Sequence, residues 1–168
     1  SLSAEDLQWA QQRLRILSGL YGVLRPLDRI QPYRLEMGTR LRAGTAGNLY
    51  EFWGDAIADQ LKADLAGHET PAVVNLASNE YAKAARLKSL GVPVISPDFK
   101  EEKDGALRAL MVYAKKARGL MARWIIENRI EDPETLKDFD LEGYRYDREG
   151  SSPDKPLFTR PQPAPKTK

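Results

Sequence analysis

Five basic residues, Lys115, Lys116, Arg118, Arg123 and Arg129, recur within the stretch YAKKARGLMARWIIENRI. At the helical step of about 100° per residue they share one arc of about 160°. The opposite arc collects Ala117, Leu120, Met121, Trp124 and Ile125. A helix divided in this way packs its apolar side inward and presents a cationic stripe. Such stripes attract phosphate esters through counterion release. Gly119 and Ala122 lie among the bases, so a phosphodiester backbone has room to approach. A solvated helix face would show the same pattern. The scarcity of acids favours an anionic partner: residues 106–130 hold six bases against Glu127 alone.

A second pattern that suits phosphate is LSGLYG at Leu17–Gly22, of the form h-x-G-h-x-G. It follows an arginine-bearing amphipathic segment, as the hairpin of a helix-hairpin-helix DNA-binding element does. In such a hairpin the glycines let backbone N–H groups reach a phosphate. Ser18, Gly19, Leu20, Tyr21 and Gly22 would make that contact, with Arg25 as the supporting cation. A helix C-cap followed by a turn explains Gly19 equally well. Pro26 sits awkwardly early in any second helix.

A third set lies at strand ends and turns. It comprises Arg34 and Glu36 in QPYRLEMG, and Asn75, Ser78, Glu80 and Tyr81 in NLASNEY. Asn75 closes an apolar run, and α/β sheets bind ligands at the carboxyl ends of their strands. This set suits an enzyme acting on a small anionic or nucleotide-like ligand, with Lys115 as a further cation. It matches no reaction type, so no catalytic residue is assigned. N-capping by Ser78 or Asn79 and a structural Arg34–Glu36 ion pair are the plainer readings.

Several chemistries are excluded. Cysteine is absent and His68 is the one histidine. That removes disulfides, thiolate nucleophiles and His-rich metal centres, and neither a metal site nor a cofactor is expected. Ser18 has no histidine in view for a catalytic triad. Walker A and G-x-G-x-x-G patterns do not occur.

The elements that must carry these residues follow from periodicity. A helix capped by Ser3 is expected to run to Ser18-Gly19, followed by an extended IQPYRLEMG. One helix is expected over 47–66, a buried strand over 72–76, a helix over 79–89 and a strand over 92–96. Lys100–Gly105 reads as a charged turn, 107–113 as a strand and 115–130 as the basic helix. A short helix at 133–138 and two weak strands, 144–147 and 157–159, complete the chain. The fold class is therefore α/β (α+β), a mixed sheet flanked by helices, with a helix-hairpin-helix-like element near the N-terminus. Residues 1–160 read as one domain, and 161–168, a Pro-rich polar segment, as a disordered tail.

The net charge of +2 over 168 residues conceals a strong asymmetry. Residues 1–42 carry a net +3, 47–70 a net −4 and 106–130 a net +5. No apolar run approaches the roughly 18 residues of a membrane span. The first residues are amphipathic and carry acids, unlike a signal peptide. A cytoplasmic protein with no membrane partner is expected.

LSGLYGVLRPLDRIQPYRLEMG, NLYEFWGD, NLASNEY and YAKKARGLMARWIIENR resemble the YaaA family of bacterial peroxide-stress proteins. The resemblance runs from about Leu7 to Arg160 and corresponds to the C-terminal two-thirds of family members. Members carry a further N-terminal part with an SPAK-type motif, so a site shared between the parts would be incomplete here. The resemblance implies a cytoplasmic protein that limits oxidative damage under hydrogen peroxide and is linked to lowered free intracellular iron. It also implies binding of double-stranded DNA through a basic cleft and a helix-hairpin-helix-like element. Carried onto this chain, the hairpin is Leu17–Gly22 and the basic helix contains Lys115, Lys116, Arg118 and Arg123.

Overall fold

The computed structural model describes residues 1–164 as two compact units. The first comprises residues 1–73 and 77–94, and the second residues 74–76 and 95 onward. Two short paired strands, β3 (Val73–Val74) and β4 (Val94–Ile95), carry the chain from one unit to the other.

In the first unit, α1 (Ala4–Arg13) starts with a full capping box. The Ser3 hydroxyl accepts from the Asp6 N–H at 3.1 Å, and the Asp6 carboxylate accepts from the Ser3 N–H at 2.8 Å. These bonds satisfy two of the four orphan donors of the first turn. The helix ends earlier than its apolar spacing predicts, because Leu14 turns extended (φ −86°, ψ 133°). Residues 16–18 instead form β1 (Ile16–Ser18), antiparallel to β2 (Gly22–Leu24). Residues 25–48 contain no helix. Leu17–Gly22 is therefore a β-hairpin, and the second helix of a helix-hairpin-helix element does not follow it.

The expected 47–66 helix is broken in two. Gly54 (φ 50°) separates α2 (Leu49–Trp53) from α3 (Ala56–Leu65). The 79–89 helix is shortened to α4 (Asn79–Ala84), since Arg86 is left-handed and a 3-10 turn follows at Leu87–Ser89. Met37, Leu49, Ile57, Ala58, Leu61, Ala84, Ala85 and Leu90 form the core of this unit.

The second unit is built on a four-stranded mixed sheet in the order β6-β5-β8-β7. Its strands are β5 (Asp98–Lys103), β6 (Ala106–Arg108), β7 (Arg145–Ser152) and β8 (Lys155–Pro161). The β5–β8 pair is parallel, and β5–β6 and β7–β8 are antiparallel. The mixed sheet with helices is the expected class. Its centre is not where the sequence placed it: β5 occupies the expected charged turn. The 107–113 strand shrinks to β6, and α5 (Met111–Glu127) starts earlier than expected. Phe99, Phe139, Tyr144 and Phe158 make an aromatic core. Phe99 stacks on Phe158 at 5.5 Å and meets Tyr144 edge-on at 5.3 Å.

Pro161 still belongs to β8, and the Gln162 N–H donates to the Glu102 carbonyl at 2.9 Å. The expected tail thus begins later than residue 161, and residues 165–168 lie outside the described residues. Among the described residues no helix is long and apolar enough to cross a membrane.

One glycine sets the hairpin against the first unit's core. Gly22 has φ 73°, and a Cβ there would lie 2.8 Å from the Trp53 ring. Gly22→Ala is expected to lower the unfolding free energy by about 1–3 kcal/mol through strain and overpacking. Urea denaturation measures it, and an unchanged midpoint would mean that the hairpin does not rest on Trp53.

Candidate nucleic-acid interface

The bases of α5 lie on the face away from the core. Ala114, Ala117, Met121 and Ile126 are buried, whereas Lys115, Lys116 and Arg123 are exposed and Arg118 is half-exposed. Their electrostatic states differ. Lys115 and Arg118 have no ion-pair or hydrogen-bond partner among the described residues. Arg123 is paired with Glu127 one turn on, at 2.7 Å. Lys116 is paired with the Glu142 carboxylate. Arg129 lies past the helix end with φ 53°, and its guanidinium donates to the Ile126 carbonyl. It therefore caps the helix C-terminus rather than extending the stripe. A Cβ at Gly119 would meet nothing within 4 Å, so the outward face is open there.

The hairpin is differently constituted. Ser18 is 1% exposed, and its hydroxyl oxygen accepts from the N–H groups of Leu20 at 3.2 Å and Tyr21 at 2.9 Å. The same hydroxyl touches the Tyr33 phenol. These are the amides that the sequence reading aimed at a phosphate, and they already have an acceptor. Gly19 is required because a Cβ would come 2.7 Å from the Leu35 carbonyl oxygen. Its own carbonyl accepts from the Trp53 indole N–H at 3.0 Å. Arg25 closes a turn on Asp28: its backbone N–H and its guanidinium donate to the two carboxylate oxygens at 2.8 and 3.1 Å. Those bonds, the backbone one foremost, hold the Asp28 carboxyl below its ordinary range.

The third set also holds structure. Arg34 and Glu36 are exposed and form no ion pair with each other. The Glu80 carboxylate accepts from the Gly38 N–H at 2.6 Å, and the Glu80 carbonyl accepts from the Tyr50 hydroxyl at 3.3 Å. Tyr81 is hydrogen-bonded to the Met37 backbone; burial nevertheless pushes its phenol upward. Glu80 and Tyr81 thus pin the 36–38 loop to α4. Ser78 precedes α4 at its N-cap without a side-chain capping bond. Asn75 lies in the second unit and donates to the Ser96 hydroxyl at 3.2 Å, whereas the other members lie in the first.

A cluster that sequence reasoning missed lies inside the second unit. Glu101 is 0% exposed and Arg160 is 6% exposed, and the two face each other in the β5–β8 register. Glu101 Oε1 lies 3.4 Å from Arg160 Nε and accepts from the Tyr144 hydroxyl at 2.5 Å. The Arg160 guanidinium lies 4.3 Å from the Tyr144 ring centre and 5.1 Å from that of Tyr113. It also donates to the carbonyl and to the carboxylate of Glu142, each at 3.2 Å. Glu142 in turn reaches Lys116 on α5. Burial, followed by the Glu101 hydrogen bond, pushes the Tyr144 phenol far above its usual range.

A family model described as peroxide stress protein YaaA matches residues 1–150. The chain belongs to the YaaA family of peroxide stress proteins. Similar proteins include a UPF0246 protein of Maricaulis maris, 63% identical over 98% of this chain and 62% of the relative. Another, from Marinomonas, is 56% identical over 98% of the chain and 62% of the relative. A third, from Caulobacter vibrioides, is 57% identical over 96% of the chain and 64% of the relative. The chain thus spans about three-fifths of the length of these curated relatives.

Two outcomes test the buried cluster of this YaaA-family chain. Tyr144→Phe leaves a Glu101 oxygen without its donor and is expected to cost about 1–3 kcal/mol in urea unfolding. The Lys116 hydrogen bond, foremost, holds the Glu142 carboxyl below its ordinary 4.5. Its contribution to stability is therefore complete above about that pH and is lost as pH falls through the lowered value. The stability difference between the wild type and Glu142→Gln should shrink over that acid range. A difference constant with pH would show that the carboxylate is not held.

Proposed function

We propose that this chain binds double-stranded DNA through phosphate contacts made by the outward face of α5, as part of a peroxide-stress protein. The observation that carries the reading is a face on which Lys115 and Arg118 have no partner among the described residues, with Lys116 and Arg123 beside them. Exposed cations left uncompensated supply counterion release when they meet a phosphate backbone. The open space at Gly119 supports close approach of that backbone. Phosphate contacts of this kind set affinity and position rather than sequence.

The link to iron follows as occupancy. Duplex covered by protein is withheld from oxidants generated at iron, and no iron ligand set in this chain is invoked. The hairpin contributes to this reading only as packing, because Ser18 already takes the Leu20 and Tyr21 amides.

The test is duplex binding across salt concentrations. With about four phosphate contacts, log K should fall with log[salt] at a slope near −3.6, and Lys115→Ala/Arg118→Ala should remove about 1.8 of it. Gly19→Ala should leave the slope unchanged in any fraction that folds. A folded protein that binds without salt dependence, or not at all, would overturn the reading.

A further inference from the structure

Glu142 stands where the buried charges of the second unit meet the outward face of α5. Its backbone is left-handed (φ 53°, ψ 29°), and Gly143 after it is at φ 82°. A residue with a side chain is held in that region at a cost. The conformation turns two Glu142 acceptors onto one cation, since its carbonyl and its Oε2 both accept from the same Arg160 nitrogen. Its other carboxylate oxygen takes Lys116. An anion shared between a guanidinium and an ammonium is also how proteins hold phosphate oxygens.

We propose that Glu142 is a built-in stand-in for a backbone phosphate: Lys116 and Arg160 form a phosphate seat, and nucleic acid occupies it by displacing the Glu142 carboxylate. This rests on the DNA reading above.

The four charges of the cluster, Glu101, Arg160, Glu142 and Lys116, sum to zero. If the Glu142 carboxylate swings out, the rest carries one net positive charge, which a phosphate neutralises. Exposure decides which member moves. The Glu142 side chain is 35% exposed and that of Lys116 58%, against 5% for Arg160 and none for Glu101. Arg160 is held from behind by Glu101 and flanked by the Tyr144 and Tyr113 rings. The seat therefore keeps its shape when Glu142 leaves. A resident competitor lowers affinity without removing a contact, so the complex gains one phosphate contact and gives up the two ion pairs that Glu142 makes with Lys116 and Arg160.

The experiment is a double-mutant cycle on the full-length protein, read as duplex-DNA affinity at fixed salt. The variants are Glu142→Gln, Lys116→Ala and the pair. Glu142→Gly is a second probe, because glycine accepts the positive φ while the carboxylate is removed. Both Glu142 variants should bind about three- to tenfold more tightly than the wild type, the scale of one partly exposed ion pair. That gain should shrink in the Lys116→Ala background, where Glu142 competes for Arg160 alone. A gain undiminished without Lys116 would reflect only the lost negative charge and would overturn the proposal. Wild-type binding with no gain in either Glu142 variant would overturn it while leaving the DNA reading intact. No binding by any folded variant would overturn both.

Discussion

Glu101 and Arg160 have almost no contact with water, and their mutual position constrains what is built around them. The two sit opposite each other in the parallel β5–β8 pair. A register slip of one residue would turn one of the two side chains to the other face of the sheet. Both charges would then be stranded, at a cost of several kcal/mol each. The ion pair thus specifies register together with the aromatic layer, since Phe99 and Phe158 stand opposite each other two residues earlier on the same face. Tyr144, just before β7, is tied in through its hydroxyl, and Lys116 ties α5 in through Glu142. Sheet, helix and the 141–143 turn are fixed by one connected set of charges.

The first unit is governed by backbone hydrogen bonding. A β-hairpin this short has few ladder bonds to hold it, and Ser18 supplies the deficit by accepting from two turn amides. Trp53 anchors the turn carbonyl at Gly19, and its ring lies against Gly22. The same pattern of two glycines can cradle a phosphate or pack against a protein. The difference lies in whether the amides have an internal acceptor, and here they do. A polar group already bonded inside the fold offers little to a ligand.

Much of the layout was legible in the residues, and the failures share a cause. The apolar face of α5 and its basic side follow directly from 3.6-residue periodicity, and so do the Ser3 cap and the strands near 73 and 94. The charge of the DFKEEK stretch predicts a turn over Lys100–Gly105, where the structure has the strand Asp98–Lys103. It is a strand because Glu101 has a buried partner 59 positions away in sequence, Arg160, which no local pattern reveals. The helix expected to reach Ser18 was overridden by pairing of Ile16–Ser18 with Gly22–Leu24, a tertiary effect stronger than propensity. Gly54 sits inside a helical pattern, and its positive φ divides the helix. At the candidate site the basic residues were visible. Of their partners, Glu127 lies one turn along the same helix, whereas Glu142 arrives from a distant turn that no local pattern reveals.

The placement of the bases on α5 runs against helix stability. The positive end of a helix macrodipole favours acids in the first turn. The first turn of α5 holds none, and Lys115 and Lys116 follow at once. Met111 and Val112, at 90% and 79% exposed, add no burial to offset this. A sequence shaped only for stability would place Asp or Glu here, as α1 does with Glu5 and Asp6. The uncompensated dipole and the unpartnered Lys115 reinforce each other as a source of positive potential. Glu142 offsets that potential through Lys116 alone, from outside the helix and through a strained turn. The local rule is thus broken at the end of the helix where the charge is left open, and kept where charge is consumed. Departures of this kind concentrate where a surface is shaped by what it binds.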